Sequence, residues 1–87
     1  MTSNNWINHQ TYLEKTFHFS NFLNAIEFMN DASKEIEILN HHPEWSNVYN
    51  QVRVILRTHD AGNRITDLDY RLAEVLDNVF EKLQHPC

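Results

Sequence analysis

The spacing of apolar residues constrains the fold of this chain most strongly, because it alternates between two periods. From Tyr12 to Phe19 the apolar side chains fall mainly on odd positions, which predicts a strand with one buried face. From residue 21 to about residue 39 apolar residues recur every three or four positions, which predicts a helix lying on a sheet. Ser20 is predicted to cap this helix. The predicted apolar stripe comprises Phe22, Leu23, Ile26, Met29, Ala32, Ser33, Ile36 and Leu39, with Ser33 as its one polar member.

Three further strands are predicted from short β-type runs. One covers residues 6–8, and two more, residues 45–48 and 52–58, are predicted to form a hairpin. The turn is placed at residues 49–51 because Asn50 tolerates a positive φ. In the last strand alternate residues should pack beneath the helices, so that His59 starts from the opposite face.

A second helix is predicted for residues 67–83. Thr66, followed three residues later by Asp69, resembles a capping box with Asp in place of the commoner Glu. The helix carries more apolar residues than one sheet contact requires, so part of its stripe is predicted to pack against another subunit. The apolar residues of this helix are Leu68, Leu72, Val75, Leu76, Val79, Phe80 and Leu83.

The order of these segments predicts the fold class. Two long helices and four short strands, without regular strand and helix alternation, indicate an α+β domain with a four-stranded antiparallel sheet and helices packed on one face. The whole chain, residues 1–87, is predicted to be a single domain. Such a small sheet leaves its edge strands exposed, which favours association into an oligomer.

Charge and composition exclude several classes of function. Seven Lys and Arg against twelve Asp and Glu give a formal net charge of −5, so direct binding of nucleic acid is not expected. No apolar run is long enough to cross a membrane and no signal peptide is evident, so we expect a soluble cytoplasmic protein, with the nucleus as an alternative compartment. Cys87 is the single cysteine, which excludes an internal disulfide and a zinc site built on cysteine pairs.

The strongest chemical signal is a group of three histidines, His41 and His42 before Pro43, and His59 at the end of a predicted strand. Imidazole can both give and take a proton near neutral pH. Three interpretations are open: the histidines only form hydrogen bonds, they bind a metal ion, or they transfer protons without a metal. Adjacent histidines on an extended chain point to opposite sides, which disfavours a shared metal ion.

These residues also form a motif that extends beyond the histidines. Glu37 is followed by His41-His42-Pro43, then after five residues by Tyr49, after nine by His59 and after nine more by Asp69. The pattern, together with the string HHPEWSNVYNQV from residue 41 to residue 52, closely resembles the pterin-4a-carbinolamine dehydratases. The resemblance covers nearly the whole chain from Trp6 onward.

The resemblance implies dehydration of 4a-hydroxytetrahydrobiopterin to quinonoid dihydropterin in tetrahydrobiopterin recycling, without a cofactor or metal. It assigns acid/base and substrate-binding roles to the three histidines, with His42 expected to be the most sensitive. The residues it assigns are His41, His42, His59 and Glu37 as catalytic, and Asn40, His41, His42, Arg57, Thr58 and His59 as substrate-binding. Glu37 is expected to tune His41. Asp69 is expected to cap the last helix and to steady the loop after His59, and its place in the motif leaves a role in the site open.

Partners and a second function also follow from the resemblance. It implies a homotetramer, a dimer of dimers assembled through sheet edges and a bundle of the last helices. Some animal members act as dimerisation cofactors of a homeodomain transcription factor, so a non-catalytic role as dimerisation cofactor or transcriptional coactivator is the alternative function. Members of the family commonly carry Asp immediately before the paired histidines, whereas this chain has Asn40, which removes a charge.

Overall fold

The computed structural model describes residues 6–84, and the prediction for Cys87 lies outside them. The described part contains four strands and two long helices. The elements are β1 (Ile7–Asn8), β2 (Leu13–His18), α1 (Phe22–Leu39), β3 (Glu44–Val48), β4 (Gln51–Leu56), a 3₁₀ turn (His59–Ala61) and α2 (Asp67–Gln84).

The four strands form one antiparallel sheet in the order β1-β2-β4-β3. The predicted α+β class and antiparallel sheet are therefore confirmed. Both hairpins occur as predicted, but β1 begins at Ile7 and β4 ends at Leu56. His59 consequently begins a 3₁₀ turn three residues after the end of the strand, because Thr58 lies outside β4 and forms a separate bridge with Arg64.

The core lies between one face of the sheet and the two helices. The predicted inward parity of β2 and β4 is confirmed, since their buried apolar residues alternate along each strand. The buried apolar residues are Leu13, Phe17, Phe19, Val52, Val54 and Leu56 from the sheet side, Ala25, Phe28, Ala32 and Ile36 from α1, and Leu72, Ala73 and Leu76 from α2. Phe17 and Phe19 each form a tilted ring pair with Phe28, and Phe17 forms another with Phe80, whereas Phe19 and Phe28 meet Phe80 edge to face.

Helix α1 is rotated relative to the predicted stripe, and it is capped by Asn21 rather than Ser20. The Asn21 side-chain oxygen accepts a hydrogen bond from the backbone N–H of Asn24 at 2.8 Å. The buried positions advance by three, four and four residues and include two alanines, which let the helix approach the sheet closely. The prediction that Phe22, Leu23 and Ile26 face the sheet is therefore wrong, and all three are exposed.

The turn between β3 and β4 uses a different residue from the one predicted. Tyr49 takes the left-handed conformation with φ +52°, and Asn50 is absent from the positive-φ residues of the described chain. The Asn50 side chain instead donates a hydrogen bond to the carbonyl of Phe19 at 2.9 Å. Asn50 therefore fastens the hairpin to the end of β2.

Helix α2 carries a buried carboxylate, Asp77, that binds two polar groups beneath β1 and β2. The ammonium of Lys15 lies 2.7 Å from one Asp77 oxygen, and the indole N–H of Trp6 donates to the other at 2.9 Å. This contact explains how Lys15 can occupy an inward position of β2. Within residues 6–84, neither helix is long and apolar enough to span a membrane.

Candidate active site

The paired histidines follow a left-handed residue that ends α1. Asn40 has φ +56°, and its backbone N–H donates to the carbonyls of Ile36 and Glu37. Asn enters this conformation more readily than most residues, and it thereby terminates the helix. The resulting change of direction places His41 and His42 in a connection between α1 and β3.

His41 is held by a buried carboxylate from the first turn of α2. The distance between His41 Nε2 and Asp69 Oδ1 is 2.7 Å. The Asp69 side chain is completely buried, and that of His41 is only 11% exposed. A buried carboxylate needs such partners because an unpaired charge away from water is strongly unfavourable.

The second oxygen of Asp69 joins the end of β4 to the start of α2. It accepts the hydroxyl of Thr58 and the backbone N–H of Thr66, each at 2.8 Å. The contact with Thr66 is the carboxylate half of the predicted capping box. Asp69 therefore starts α2 and fixes His41 with the same side chain.

His42 turns to a different carboxylate, Glu37 of α1. His42 Nε2 lies 2.8 Å from Glu37 Oε2, and both side chains are largely exposed. They line a surface groove of about 420 Å³ together with the partly buried Pro43 and Trp45. The predicted partnership of Glu37 with His41 is thus replaced by one with His42, because the reversal at Asn40 directs His41 toward α2.

His59 lies in a charged cluster beside the end of β4. Its Nδ1 contacts Asn63 Oδ1 at 2.7 Å, and its Nε2 lies 3.3 Å from a carboxylate oxygen of Glu44. Arg57 also binds Glu44, through two hydrogen bonds of 2.9 and 3.0 Å. The hydrogen bond from Arg57 is the largest cause that holds the pKa of Glu44 below its ordinary value, and in return the pKa of Arg57 is raised.

A closed loop links this cluster to the one around His41. The backbone N–H of Thr58 donates to the Arg64 carbonyl at 2.9 Å and closes the segment between them. Gly62 turns this segment with φ +84°, a conformation in which a side chain would be strained. Thr58 stands between Arg57 and His59 in sequence and its hydroxyl bonds to Asp69, so the backbone at Thr58 joins the cluster around His41 to the cluster around His59.

The structure adds residues that the sequence interpretation omitted from the site. Glu44 connects Arg57 to His59, and Asn63 holds the other side of the His59 ring. An available signal for Glu44 was its place in the HHPEW string ahead of a strand rich in arginine. Among residues 6–84, no group of three or more His, Cys, Asp and Glu side chains is arranged to hold a metal ion.

Comparisons with known proteins agree with the motif. Residues 1–79 match the family model described as pterin 4 alpha carbinolamine dehydratase. A Rhizobium etli protein provisionally named pterin-4-alpha-carbinolamine dehydratase is 54% identical over 65 residues, covering 75% of this chain and 63% of the relative. An Opitutus terrae protein of the same provisional name is 47% identical over 74 residues, covering 85% of this chain and 76% of the relative.

A solved structure shares the fold. The crystal structure of a Brucella melitensis protein described as a transcriptional coactivator/pterin dehydratase matches with a TM-score of 0.80 and 36% sequence identity. The match covers 87% of this chain and 82% of that one. The structural similarity therefore extends over most of this chain.

Proposed function

Because the chain belongs to the pterin 4 alpha carbinolamine dehydratase family, we propose that it is a hydro-lyase acting on a 4a-hydroxytetrahydropterin. The product is the quinonoid dihydropterin, and the proposed role is the recycling of tetrahydrobiopterin. In this reaction the C4a–O bond breaks, a C=N bond forms, and water leaves. The hydroxyl must gain a proton and a ring nitrogen must lose one.

One observation carries this proposal: His41 and His59 each lie beside a carboxylate, and Thr58, the residue before His59, bonds to the same Asp69 that contacts His41. Two imidazoles can divide the proton transfers, one supplying the leaving oxygen and one accepting from nitrogen. His42 stands at the groove beside Pro43 and Trp45, whose flat apolar surfaces suit a bicyclic ring. Asn40, Arg57 and Thr58 adjoin these rings in sequence and are proposed to contact the pterin.

Rapid-mixing absorbance spectroscopy tests the proposed reaction. The 4a-hydroxypterin is generated immediately before mixing, and its decay to the quinonoid product is followed with and without the protein. We expect acceleration that persists after treatment with a chelator. Decay at the uncatalysed rate would contradict the proposed function. Loss of activity on chelation would instead favour catalysis by a metal ion over proton transfer by histidines alone.

The role of His42 can be tested with a matched pair of variants. His42→Ala is expected to lower turnover roughly 100-fold or more, the scale of a lost acid/base group. His18→Ala is the control, because His18 is an exposed residue at the end of β2 outside the proposed site. A decrease of less than about threefold for His42→Ala would remove His42 from proton transfer.

A role as transcriptional coactivator is the second candidate function, favoured by the description of the Brucella melitensis protein. The two functions make different demands on the histidines. A coactivator should retain its partner in a co-purification experiment after His42→Ala, whereas dehydration should be lost. The expected cytoplasmic location stays a prediction, with the nucleus as the alternative if a transcription partner is found.

We also propose that the protein is a homotetramer, a dimer of dimers. Support comes from α2, where Leu68 is exposed and Val75, Val79 and Leu83 are only partly buried. The edge strand β3 supplies a second surface suited to pairing. Sedimentation equilibrium is expected to show four chains, and Val75→Glu should dissociate the pairs formed through α2. A monomer at all concentrations would contradict this assembly.

A further inference from the structure

Asp69 is the most heavily bonded side chain near the histidines, yet its geometry has a chemical effect beyond helix capping. Its Oδ2 accepts the Thr58 hydroxyl and the Thr66 backbone N–H, and the Thr66 hydroxyl lies 3.5 Å from the same oxygen. Its Oδ1 faces Nε2 of His41. An ionised carboxylate only accepts hydrogen bonds, so Nε2 of His41 must carry a proton to complete this contact.

The proton on Nε2 decides which nitrogen of His41 can act as a base. A neutral imidazole has one protonated and one unprotonated nitrogen. With Nε2 protonated, Nδ1 is the unprotonated nitrogen. No hydrogen bond from any residue in the described range 6–84 reaches His41 Nδ1.

We infer that Asp69 is a positioning residue that locks His41 as the Nε2–H tautomer, leaving Nδ1 to accept the substrate proton. The inference rests on the proposed dehydratase function for its catalytic part. The tautomer itself is a property of the free protein and can be measured without substrate. Asp69 acts through His41 and has no proposed contact with the pterin.

The substitution Asp69→Asn should reverse this arrangement while preserving the side chain's size. Thr58 and Thr66 donate hydrogen bonds to one side of this residue, so the oxygen of the new amide should take that side. The amide nitrogen must then face His41. That nitrogen is a donor, and His41 Nε2 must then accept. The proton of the neutral ring is thereby moved to Nδ1, the nitrogen needed as the base.

Nitrogen-15 NMR of the histidine rings reads the tautomer directly, at a pH where every imidazole is neutral. The His41 signals are assigned with a His41→Gln variant. We expect the protonated nitrogen to be Nε2 in the unaltered protein and Nδ1 in Asp69→Asn. A proton on Nδ1 in the unaltered protein would overturn the inference, even if the variant failed to fold.

Asp77→Asn is the matched control, because Asp77 is the other buried acid of α2 and binds Lys15 and Trp6. It should leave the His41 tautomer and the kcat unchanged. Asp69→Asn should lower kcat at least about 100-fold with little change in KM, as expected for an interaction specific to the transition state. A switched tautomer with unchanged kcat would overturn the positioning role.

The two proposals fail in different ways. If the unaltered protein does not accelerate dehydration, the proposed function is wrong while the NMR result still reports on the contact between Asp69 and His41. If dehydration is fast but His41 carries its proton on Nδ1, the function stands and the role of Asp69 is wrong.

Discussion

Two buried carboxylates of α2, Asp69 and Asp77, show how one helix supports two kinds of polar cluster. Asp77 binds the ammonium of Lys15 and the indole N–H of Trp6, groups that only donate hydrogen bonds. Asp69 binds an imidazole, a side chain that both donates and accepts hydrogen bonds. One buried carboxylate of the helix therefore makes a fixed structural contact, and the other faces a ring suited to proton transfer.

The largest expected effect concerns the Asp77 cluster. Asp77→Ala removes the partly buried carboxylate that Lys15 and Trp6 both bind, and should lower the free energy of unfolding by about 3–5 kcal/mol. Urea denaturation measures this change. The double variant Lys15→Met with Asp77→Leu should regain most of the loss, because a well-packed apolar pair can replace a buried ion pair. Failure of the double variant to regain stability would contradict this account of Asp77.

The second prediction addresses the Asp69 cluster through its imidazole. His41→Ala should slow dehydration roughly 100-fold, equivalent to about 2.7 kcal/mol in the activation free energy. Rapid-mixing kinetics per folded molecule measure the rate, with Asp77→Asn as the control that alters the other cluster. If both variants lost activity equally, the distinction between a chemical and a structural carboxylate would fail.

A smaller effect is expected from Thr58→Val, which removes one donor from Asp69 and keeps the shape of the side chain. The Thr58 hydroxyl also contacts the Thr66 hydroxyl at 2.7 Å, so two hydrogen bonds are lost and the free energy of unfolding should decrease by about 2 kcal/mol, at about 1 kcal/mol for each. Asp69 retains the Thr66 N–H and His41, so the tautomer of His41 should persist. Urea denaturation and the ring nitrogen spectrum together check this prediction, and an altered tautomer would assign Thr58 a larger role.

The smallest effect concerns a surface carboxylate, Glu44, which contrasts with both buried ones. Its pKa in the folded protein lies below the ordinary value of 4.5, mainly because Arg57 donates a hydrogen bond to it. Its stabilising contribution is therefore complete above about pH 4.5 and is lost as the pH falls through the lowered folded pKa. Solvent screens exposed ion pairs, so the contribution should be slight.

The pH dependence of unfolding checks this sign. The free energy of unfolding of the unaltered protein and of Glu44→Gln is compared between pH 3 and pH 7, a range of roughly four units around the ordinary carboxyl pKa. The difference between the two free energies should become smaller as the pH falls. Glu37→Gln is a useful comparison, because Glu37 is also exposed but faces only His42 in its ion pair. A Glu44→Gln difference that grew toward acid pH would contradict the assigned cause.

Local patterns predicted α2 well but α1 less completely. The capping pair Thr66 and Asp69 and a single apolar stripe define residues 67–83, close to the observed Asp67–Gln84. Helix α1 has two overlapping apolar faces. The large side chains of Phe22 and Leu23 led the sequence interpretation to place their face on the sheet, but both residues are exposed. Close packing of the alanine-containing face on the sheet decides the rotation, and that choice depends on tertiary contacts.

The motif singled out His41, His42 and His59 but did not predict their partners. Glu37 is a helical turn before His41, so proximity in sequence suggested the wrong pairing. The actual partner of His41 is Asp69, 28 positions away, brought near by the docking of α2. Such a contact depends on both the left-handed residue Asn40 and the position of a distant helix, neither of which follows from spacing alone.

The double attachment of Asp69 has a consequence for motion in the protein. The amide N–H of Thr66 is bonded to the carboxylate that also holds the His41 ring, so opening the first turn of α2 and releasing that ring are coupled events. A molecule that settles against His41 should consequently slow hydrogen exchange at the Thr66 amide, although it does not touch that residue. The beginning of this helix would then report, from a distance, that a molecule is bound beside His41.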